Sequence, residues 1–388
     1  MDDDLIYLDE AATSWPKPPE VIEAVAQSLM RAGSPSRSSH THALEASRAL
    51  AKARRVCAKY LGVSNPENLV FQPGCTQALN MLIKGIVTPG SRVLISPFEH
   101  NSVTRPLYRL KAEKQIELIK IPVNAEGCIK LSALMDLLED YPGATVICQH
   151  ASNVSGAIQP VGDIADLVHK YNAKIIVDGA QTAGHIPFDF DMMMVEAWAC
   201  SGHKGLRGPA GTGIAIMSEQ EDFIPLTEGG TGSGGEEGPD VKDIRPDAYE
   251  AGTVNLPGIE GLAQAVEIVC PQISERRKVE DEYCRIMISG LQEIDGLHII
   301  GPELGAPRMP VVSFIVEGVS SEYIASVLDR NYKVAVRSGL HCAPSAHEAY
   351  GSLLTGTVRA SFSADTPREW VEEFPGMVKE IVTQQKIL

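Results

Sequence analysis

The sequence predicts an α/β fold built around a mostly parallel sheet, and two observations support this. Between about residues 66 and 254, short β-branched runs alternate with helical stretches, which is typical of βαβ units. Clusters of polar residues follow the ends of these runs, and ligands bind beyond the carboxyl ends of strands in such sheets. The 388 residues are enough for two domains. We expect a large domain at 17–256 and a smaller α+β domain made of 1–16 and 257–388.

The individual elements follow from these runs in chain order. Strands are predicted at 69–71, 92–95, 145–149, 174–177, 197–200 and 213–217. Helices are predicted at 44–61, 76–86, 103–111, 131–139 and 164–171. The later part is predicted to hold one long helix at 258–291 and strands at 311–316 and 333–336. Residues 228–238 are too rich in glycine to pack, so we expect a mobile loop there.

Composition and charge exclude several classes of partner. A formal net charge of −16 argues against binding to nucleic acid or to an anionic membrane, because both need clustered Lys and Arg. No apolar run is long enough to cross a bilayer. The acidic residues 2–4 lack the pattern of a signal peptide, so we expect a cytoplasmic protein. None of the eight cysteines forms a CxxC pair, and we expect no metal site.

A lysine and a carboxylate follow two of the predicted strands and carry the strongest chemical signal. Asp178 comes directly after the run 174–177, and Lys204 comes shortly after the run 197–200. A carboxylate that holds a pyridinium nitrogen and a lysine that forms a Schiff base are the groups that pyridoxal phosphate chemistry requires. Taken alone, Asp178 would be read as a turn residue and Lys204 as a surface lysine. Their joint position favours a cofactor site.

Other strand ends supply groups of complementary chemistry. Gly74, Cys75 and Thr76 open a helix and offer backbone N–H groups and a hydroxyl, which suit a phosphate. Ser201 and His203 could donate to the same phosphate. Asn153 and Gln181 could bond a phenolic oxygen, and His100 could stack on a heteroaromatic ring. Each has an ordinary explanation by itself, and a Gly-x-Thr helix start is usually only an N-cap.

Several segments together resemble a known family. Residues 178–181 (Asp-Gly-Ala-Gln), 201–204 (Ser-Gly-His-Lys) and 250–253 (Glu-Ala-Gly-Thr) resemble the class V aminotransferase group of fold-type I pyridoxal phosphate enzymes. Residues 336–344 resemble the active-site cysteine segment of cysteine desulfurases, in the group II branch that includes selenocysteine lyases. Residues 7–13 resemble the family's N-terminal segment. The resemblance implies a mostly parallel seven-stranded sheet in the large domain and a smaller α+β C-terminal domain.

The resemblance also implies a role for each matching residue. Lys204 would carry the cofactor and move the substrate α-proton, Asp178 would pair with the ring nitrogen, and His100 would stack on the ring. Arg359, with Asn153, would bind the substrate carboxylate. Thr253 would reach the phosphate of the neighbouring subunit, which implies a homodimer with shared sites, and the 229–235 loop would cover the entrance. The remaining cofactor contacts implied are Gly74, Cys75, Thr76, Asn153, Gln181, Ser201 and His203.

The implied activity is release of sulfur from L-cysteine as a persulfide on Cys342, with L-alanine as the other product. The thiolate is the attacking form, and Arg337 and His341 are the sequence neighbours that would favour it. The persulfide would then pass to a thiol acceptor protein. Three alternatives stay open: a selenocysteine lyase or C–S lyase, a class V aminotransferase or racemase, and a non-catalytic binding protein with the same fold.

Three positions depart from the family pattern. Cys75 stands where many relatives have threonine, so a hydroxyl for the phosphate is missing while the backbone donor remains. Glu10 replaces a smaller or neutral residue, and Leu340 stands where many group II members have histidine. The Leu340 change bears on how Cys342 is activated and on which atom protonates the leaving group.

Overall fold

The computed structural model describes residues 5–35, 39–230 and 244–387. Its strands, in chain order, are β1 (Ile6–Tyr7), β2 (Leu69–Gln72), β3 (Arg92–Ile95), β4 (Glu117–Lys120), β5 (Thr145–Gln149), β6 (Lys174–Asp178), β7 (Ala197–Ser201), β8 (Gly213–Met217), β9 (Leu297–Ile300), β10 (Val311–Val316), β11 (Val334–Ala335), β12 (Arg337–Gly339) and β13 (Thr357–Ser361).

The α-helices, in the same order, are α1 (Pro19–Leu29), α2 (Thr41–Tyr60), α3 (Cys75–Ile86), α4 (Asn101–Ala112), α5 (Leu131–Asp140), α6 (Val161–Lys170), α7 (Phe190–Met193), α8 (Leu256–Val269), α9 (Ile273–Gln292), α10 (Ser321–Tyr332), α11 (Pro344–Ala349) and α12 (Arg368–Ile387). None of the described helices is both long and apolar enough to cross a membrane.

The larger sheet has seven strands in the order β2-β8-β7-β6-β5-β3-β4. Strands β7, β6, β5, β3 and β4 pair in parallel, and β8 is antiparallel to both of its neighbours, β7 and β2. Strand β2 therefore runs in the same direction as the parallel set. The predicted mostly parallel α/β sheet is confirmed. The carboxyl ends of β2, β3, β5, β6 and β7 meet at one edge, which is the edge predicted to bind the ligand.

The six predicted strands of this sheet are all present, and one strand was missed. Strand β4 has charged residues at both ends, Glu117 and Lys120, and only two apolar residues between them. It lies at the sheet edge, and its two end residues are exposed. An edge strand needs few buried side chains, so its pattern of apolar residues is weak.

The prediction of one long helix at 258–291 is wrong. The chain forms α8 and α9, separated by the short 3₁₀ segment Cys270–Gln272. Pro271 lies in this segment, and proline lacks the N–H that would continue an α-helix. The predicted strand at 333–336 is also shorter than expected, because only β11 forms there, and it pairs in parallel with β1.

The smaller sheet is antiparallel, with strand order β12-β13-β10-β9. The β10 side chains pack with α9, α10 and α12 in a second hydrophobic core around Phe314, Phe362 and Phe374. Leu8, from the N-terminal segment, belongs to this same core. The N-terminal residues therefore fold together with C-terminal ones.

The predicted domain boundary near residue 256 stays a prediction. Helix α8 follows that boundary and buries Ile259, Leu262 and Val266 in the core of the larger sheet. Apart from residues of the N-terminal segment, the second core is built from residues of α9 and later elements. Most of the glycine-rich stretch predicted as a mobile loop, from residue 231 to 238, lies outside the described residues.

Candidate active site

A cavity opens at the edge where the parallel strands end. It collects most of the side chains that the sequence placed there, together with a few that it did not. The lining residues are Cys75, Thr76, His100, Ser102, Gln149, Ala151, Asn153, Asp178, Ala180, Gln181, Ser201 and Lys204. Among the described residues, no group of three His, Cys, Asp or Glu side chains could hold a metal ion.

Asp178 and Lys204 reach this cavity from neighbouring strands. Asp178 is the last residue of β6 and is 4% exposed, and Lys204 lies three residues beyond the end of β7. Burial lowers the pKa of the Lys204 amine, and the guanidinium groups of Arg359 and Arg337 lower it further, against the opposing effects of Asp178 and Cys75. A lysine with a lowered pKa has a larger neutral fraction, which is the form that attacks a carbonyl carbon.

The Asp178 carboxylate is held by one of its two oxygens. Oδ1 accepts hydrogen bonds from the Ala180 N–H at 2.9 Å and from the Cys75 thiol at 3.5 Å. Burial raises the pKa of the Cys75 thiol well above its ordinary value, and Asp178 raises it further, so the thiol stays protonated and donates. The cysteine that departs from the family pattern therefore contacts the carboxylate, and Oδ2 is left to bind a ligand.

The amino end of α3 forms the part of the cavity that suits a phosphate. Gly74 precedes the helix without a side-chain cap, and a Cβ built on Gly74 would have no atom within 4 Å. The first N–H groups of a helix have no partner within the helix, and the helix dipole favours an anion at this end. Thr76 and Ser201 add hydroxyl groups to the same cavity.

His100 precedes α4 and caps it. Its Nδ1 accepts from the Ser102 N–H at 3.1 Å and lies 2.8 Å from the Ser102 hydroxyl. Burial lowers the pKa of His100 to about 4, and Lys204 contributes to the lowering while Asp178 opposes it. The ring is therefore neutral at pH 7, as a ring that stacks on a cationic heterocycle should be.

Two buried polar atoms beside the cavity test whether a cofactor fits. In the part of the chain that the structure describes, Gln149 Nε2 and Asn153 Oδ1 have no hydrogen-bond partner. Buried polar groups are rarely left unpaired in folded proteins. The two atoms, the donors at α3, the neutral His100 ring and the Asp178 carboxylate are together the groups that pyridoxal phosphate requires, so the residues present fit that group.

Two of the predicted cofactor contacts are bonded to the N-terminal segment. Gln181 lines the cavity, and its Nε2 donates to the Ala11 carbonyl at 3.2 Å. His203 does not line the cavity: its Nδ1 lies 3.1 Å from Thr13 Oγ1, and its carbonyl accepts from Lys17 Nζ at 2.8 Å. Burial lowers the pKa of His203 to about 4. Its role at the phosphate stays a prediction.

Arg359 is buried and is not among the residues that line the cavity. It is 1% exposed in β13, and its Nη1 donates to the Asn153 carbonyl at 3.1 Å. Its Nη2 donates to Asp9 Oδ1 at 2.7 Å. Asn153 also donates from Nδ2 to the His341 carbonyl at 2.7 Å, so one residue connects the cavity, Arg359 and the segment before Cys342.

Cys342 lies in the segment between β12 and α11 in an unusual backbone conformation. His341 and Cys342 both have positive φ angles, 47° and 59°, and the Cys342 carbonyl accepts from the Asn101 N–H at 2.9 Å. Arg337 Nη2 lies 3.2 Å from Cys342 Sγ. The guanidinium therefore places a positively charged hydrogen-bond donor directly beside the sulfur.

His341 has a different role from the one expected. Its Nε2 bonds to the Thr357 hydroxyl at 2.8 Å, away from the cysteine, and the ring is 2% exposed. Burial lowers the pKa of His341 far below its ordinary value, and Arg359 lowers it further. The ring is therefore neutral, and of the two sequence neighbours only Arg337 brings positive charge to the thiol.

Thr253 lies away from the cavity. It is exposed and lines a separate groove with residues of α1 and of the segment that follows, including Leu29 and Arg31. Near this groove, Leu29 and Met30 are 69% and 79% exposed. Large apolar side chains exposed together indicate an interaction surface.

The sequence missed three residues near the site. Gln149 ends the predicted strand at 145–149, and Ser102 directly precedes the predicted helix at 103–111. Their polar side chains at a sheet edge were the signal that could have identified them. Asp9 gave no such signal, because the contact with Arg359 joins residues at opposite ends of the chain.

Comparison with known proteins gives consistent results. The family model described as "Aminotransferase class-V" matches residues 6–374. A probable cysteine desulfurase of Pyrococcus abyssi is 32% identical over 398 residues, covering 98% of this chain and 94% of the relative. A cysteine desulfurase of Escherichia coli is 33% identical over 352 residues, covering 87% of this chain and 84% of the relative.

Solved structures show the same similarity. The apo structure of a cysteine desulfurase from Thermococcus onnurineus NA1 has a TM-score of 0.90 at 29% identity, covering 98% of this chain and 96% of that one. The cysteine desulfurase CsdA from Escherichia coli has a TM-score of 0.85 at 25% identity, covering 99% and 96%.

Proposed function

The chain belongs to the class V aminotransferase family, and we propose that it is a pyridoxal-phosphate-dependent cysteine desulfurase. The observation that carries this function within the family is the placement of Arg337 Nη2 at 3.2 Å from Cys342 Sγ. An aminotransferase or a racemase has no use for a cysteine sulfur with a cationic donor beside it. The similarity to curated cysteine desulfurases along nearly the whole chain supports the same conclusion.

The cavity residues would hold the cofactor in distinct ways. Lys204 would bind it covalently, Asp178 Oδ2 would face its ring nitrogen, and His100 would lie against its ring. The phosphate would bind at the amino end of α3, with Thr76 and Ser201. Once bound, pyridoxal phosphate supplies an electron sink for the charge that develops when the substrate loses its α-proton.

The protein's own groups account for the remaining chemistry. Arg359 would bind the substrate carboxylate, and the Lys204 amine, with its lowered pKa, would take the α-proton. The Cys342 thiolate would attack the sulfur of L-cysteine, so that an S–S bond forms as the C–S bond breaks. The substrate β-carbon then takes up a proton, the α-carbon regains the proton held by Lys204, L-alanine leaves, and Cys342 retains the transferred sulfur as a persulfide.

Three further features belong to the proposal. The persulfide would pass to a thiol on an acceptor protein, since Cys342 is only half-buried. The enzyme would be a homodimer in which Thr253 contributes to the partner's phosphate site, and the exposed Leu29 and Met30 near the Thr253 groove support such an interface. A cytoplasmic location rests on the sequence alone.

Product analysis tests the proposed function. Purified holoenzyme is incubated with L-cysteine and a reductant, and alanine, pyruvate and sulfide are quantified. We expect alanine and sulfide in equal amounts, with no pyruvate. Pyruvate as the main product would instead identify a β-eliminating C–S lyase, and an absence of any product would favour a non-catalytic protein with this fold.

A further inference from the structure

Arg359 has contacts that fix its guanidinium before any substrate binds. Nη2 donates to Asp9 Oδ1 at 2.7 Å, and Nη1 donates to the Asn153 carbonyl at 3.1 Å. A guanidinium carries five N–H donors, so three remain. One of them is Nε–H, which is buried and has no partner among the described residues. These three donors therefore stay available while both contacts are kept.

The N-terminal segment brings Asp9 to this position through backbone contacts with β13. The Leu8 carbonyl accepts from the Ser361 N–H at 2.8 Å, and the Glu10 N–H donates to the Ser361 carbonyl at 3.2 Å. The Ala11 N–H donates to Ser361 Oγ at 3.0 Å. Asp9 is thereby fixed opposite Ser361, two residues from Arg359 in the same strand.

The negative charge of Asp9 also stabilises the buried positive charge of Arg359. The arginine side chain is 1% exposed, and the Asp9 side chain is 21% exposed. A buried cation without a partner is strongly unfavourable, and it would reorient toward water or toward other acceptors. Burial lowers the pKa of Arg359, and Asp9 opposes that effect. Asp9 therefore stabilises both the charge and the orientation of the guanidinium.

We propose that Asp9 is a positioning residue, which holds the Arg359 guanidinium so that its remaining N–H groups meet the α-carboxylate of the amino-acid substrate. This inference rests on the proposed function only in that the ligand is an α-amino acid. The same N-terminal segment contacts Gln181 through the Ala11 carbonyl. The segment therefore contacts both Arg359 and a residue that lines the cavity.

The test measures ligand binding to the holoenzyme rather than turnover. L-Alanine and L-alaninamide differ only in that the amide has no carboxylate charge, and binding of each is followed by the visible absorbance of the bound cofactor. Asp9→Ala should weaken L-alanine binding by about tenfold or more, the effect of losing a hydrogen bond between charged groups. Binding of L-alaninamide should stay within about twofold of wild type.

Two more variants make the result specific. Asp9→Asn keeps an oxygen acceptor without the charge, so its loss should be smaller than that of Asp9→Ala. Glu10→Gln removes the neighbouring buried carboxylate, which has no hydrogen bond with Arg359, and should bind L-alanine like wild type. Thermal unfolding identifies variants that fail to fold. If Asp9→Ala fails to fold, the comparison of L-alanine and L-alaninamide binding by Asp9→Asn tests the proposal.

The proposal is overturned if both ligands weaken equally in the Asp9 variants, or if L-alanine binds as tightly as in wild type or more tightly. L-Alanine binding does not need Cys342. A failure of this inference is therefore distinct from a failure of the desulfurase function, which product analysis with L-cysteine decides independently.

Discussion

The two halves of the proposed site, one for the cofactor and one for the substrate, are assembled in different ways. The cofactor half, with Asp178, Ser201 and the amino end of α3, is built from the ends of strands in one sheet. The substrate half, with Arg337, Cys342 and Arg359, is built from β12, β13 and the segment before α11, and it is held by the N-terminal segment. A parallel sheet aligns its strand ends automatically, whereas the substrate half depends on contacts between distant parts of the chain.

Replacement of Lys204 gives the largest expected effect, and it tests the cofactor half. Lys204→Ala should lose all measurable turnover and the covalent link to the cofactor, because among the described residues no other amine lines the cavity. Borohydride reduction followed by peptide mapping measures the link. Lys17 is the informative control, since burial lowers its pKa to about 8. An adduct on Lys17 instead of Lys204 would contradict the assignment.

Removal of the Asp178 carboxylate should have the next largest effect. Asp178→Ala leaves the ring nitrogen of the bound cofactor without its anionic partner, and we expect α-proton exchange of L-alanine in D₂O to slow by about 10²-fold or more. Exchange is followed by NMR. Cys75→Ala, which removes only the thiol that donates to Asp178 Oδ1, should slow exchange far less. Near-normal exchange in Asp178→Ala would show that the ring nitrogen has another partner.

Removing the positive charge of Arg337 next to Cys342 tests the substrate half. Arg337→Gln should slow alkylation of Cys342 by iodoacetamide at pH 7 by about tenfold, because it removes the cationic donor that lies 3.2 Å from Sγ. His341→Gln should leave the rate within about threefold of wild type, since the buried ring is neutral and bonds to Thr357. The interpretation fails if His341→Gln has the larger effect of the two.

The smallest expected effect concerns stability in the cofactor half. His150 is 7% exposed, and burial lowers its pKa to about 4. Between pH 6.5 and about 4 the unfolded chain therefore binds a proton at this position that the folded chain does not, and stability falls as the pH falls. In His150→Gln, the loss in unfolding free energy from pH 7 to pH 5 should be smaller by about 1–2 kcal/mol.

Urea denaturation at the two pH values measures this difference. His298→Gln, at an exposed histidine on β9, is the matched control for replacing a histidine by glutamine. An unchanged pH dependence in His150→Gln would show that His150 is not the group responsible.

The contrast between the halves also explains what the sequence could predict. Asp178, Lys204 and the residues around Cys75 were found because each follows a recognisable strand, and strand ends of a parallel sheet must meet. The pairing of Arg359 with Asp9 joins residues at opposite ends of the chain, and no local pattern encodes it.

Two other features of the substrate half were equally hidden. His341 is next to Cys342 in sequence, but successive left-handed backbone angles turn its ring toward Thr357, while Arg337 reaches the thiol from five residues away. The break in the predicted helix at 258–291 could have been seen in the sequence, because Pro271 marks it. The apolar periodicity on both sides of Pro271 favoured one continuous helix instead.

The most direct test of the proposed desulfurase chemistry is to locate the transferred sulfur. Holoenzyme treated with L-cysteine in the absence of a reductant is digested, and mass spectrometry identifies the cysteine that carries an extra sulfur atom. We expect a persulfide on Cys342 and alanine release that ends when this site is filled. Cys128→Ser, which removes another half-buried cysteine, should give the same result as wild type. A Cys342→Ser enzyme that still releases alanine from L-cysteine at the wild-type rate, or a persulfide on a different cysteine, would contradict this chemistry.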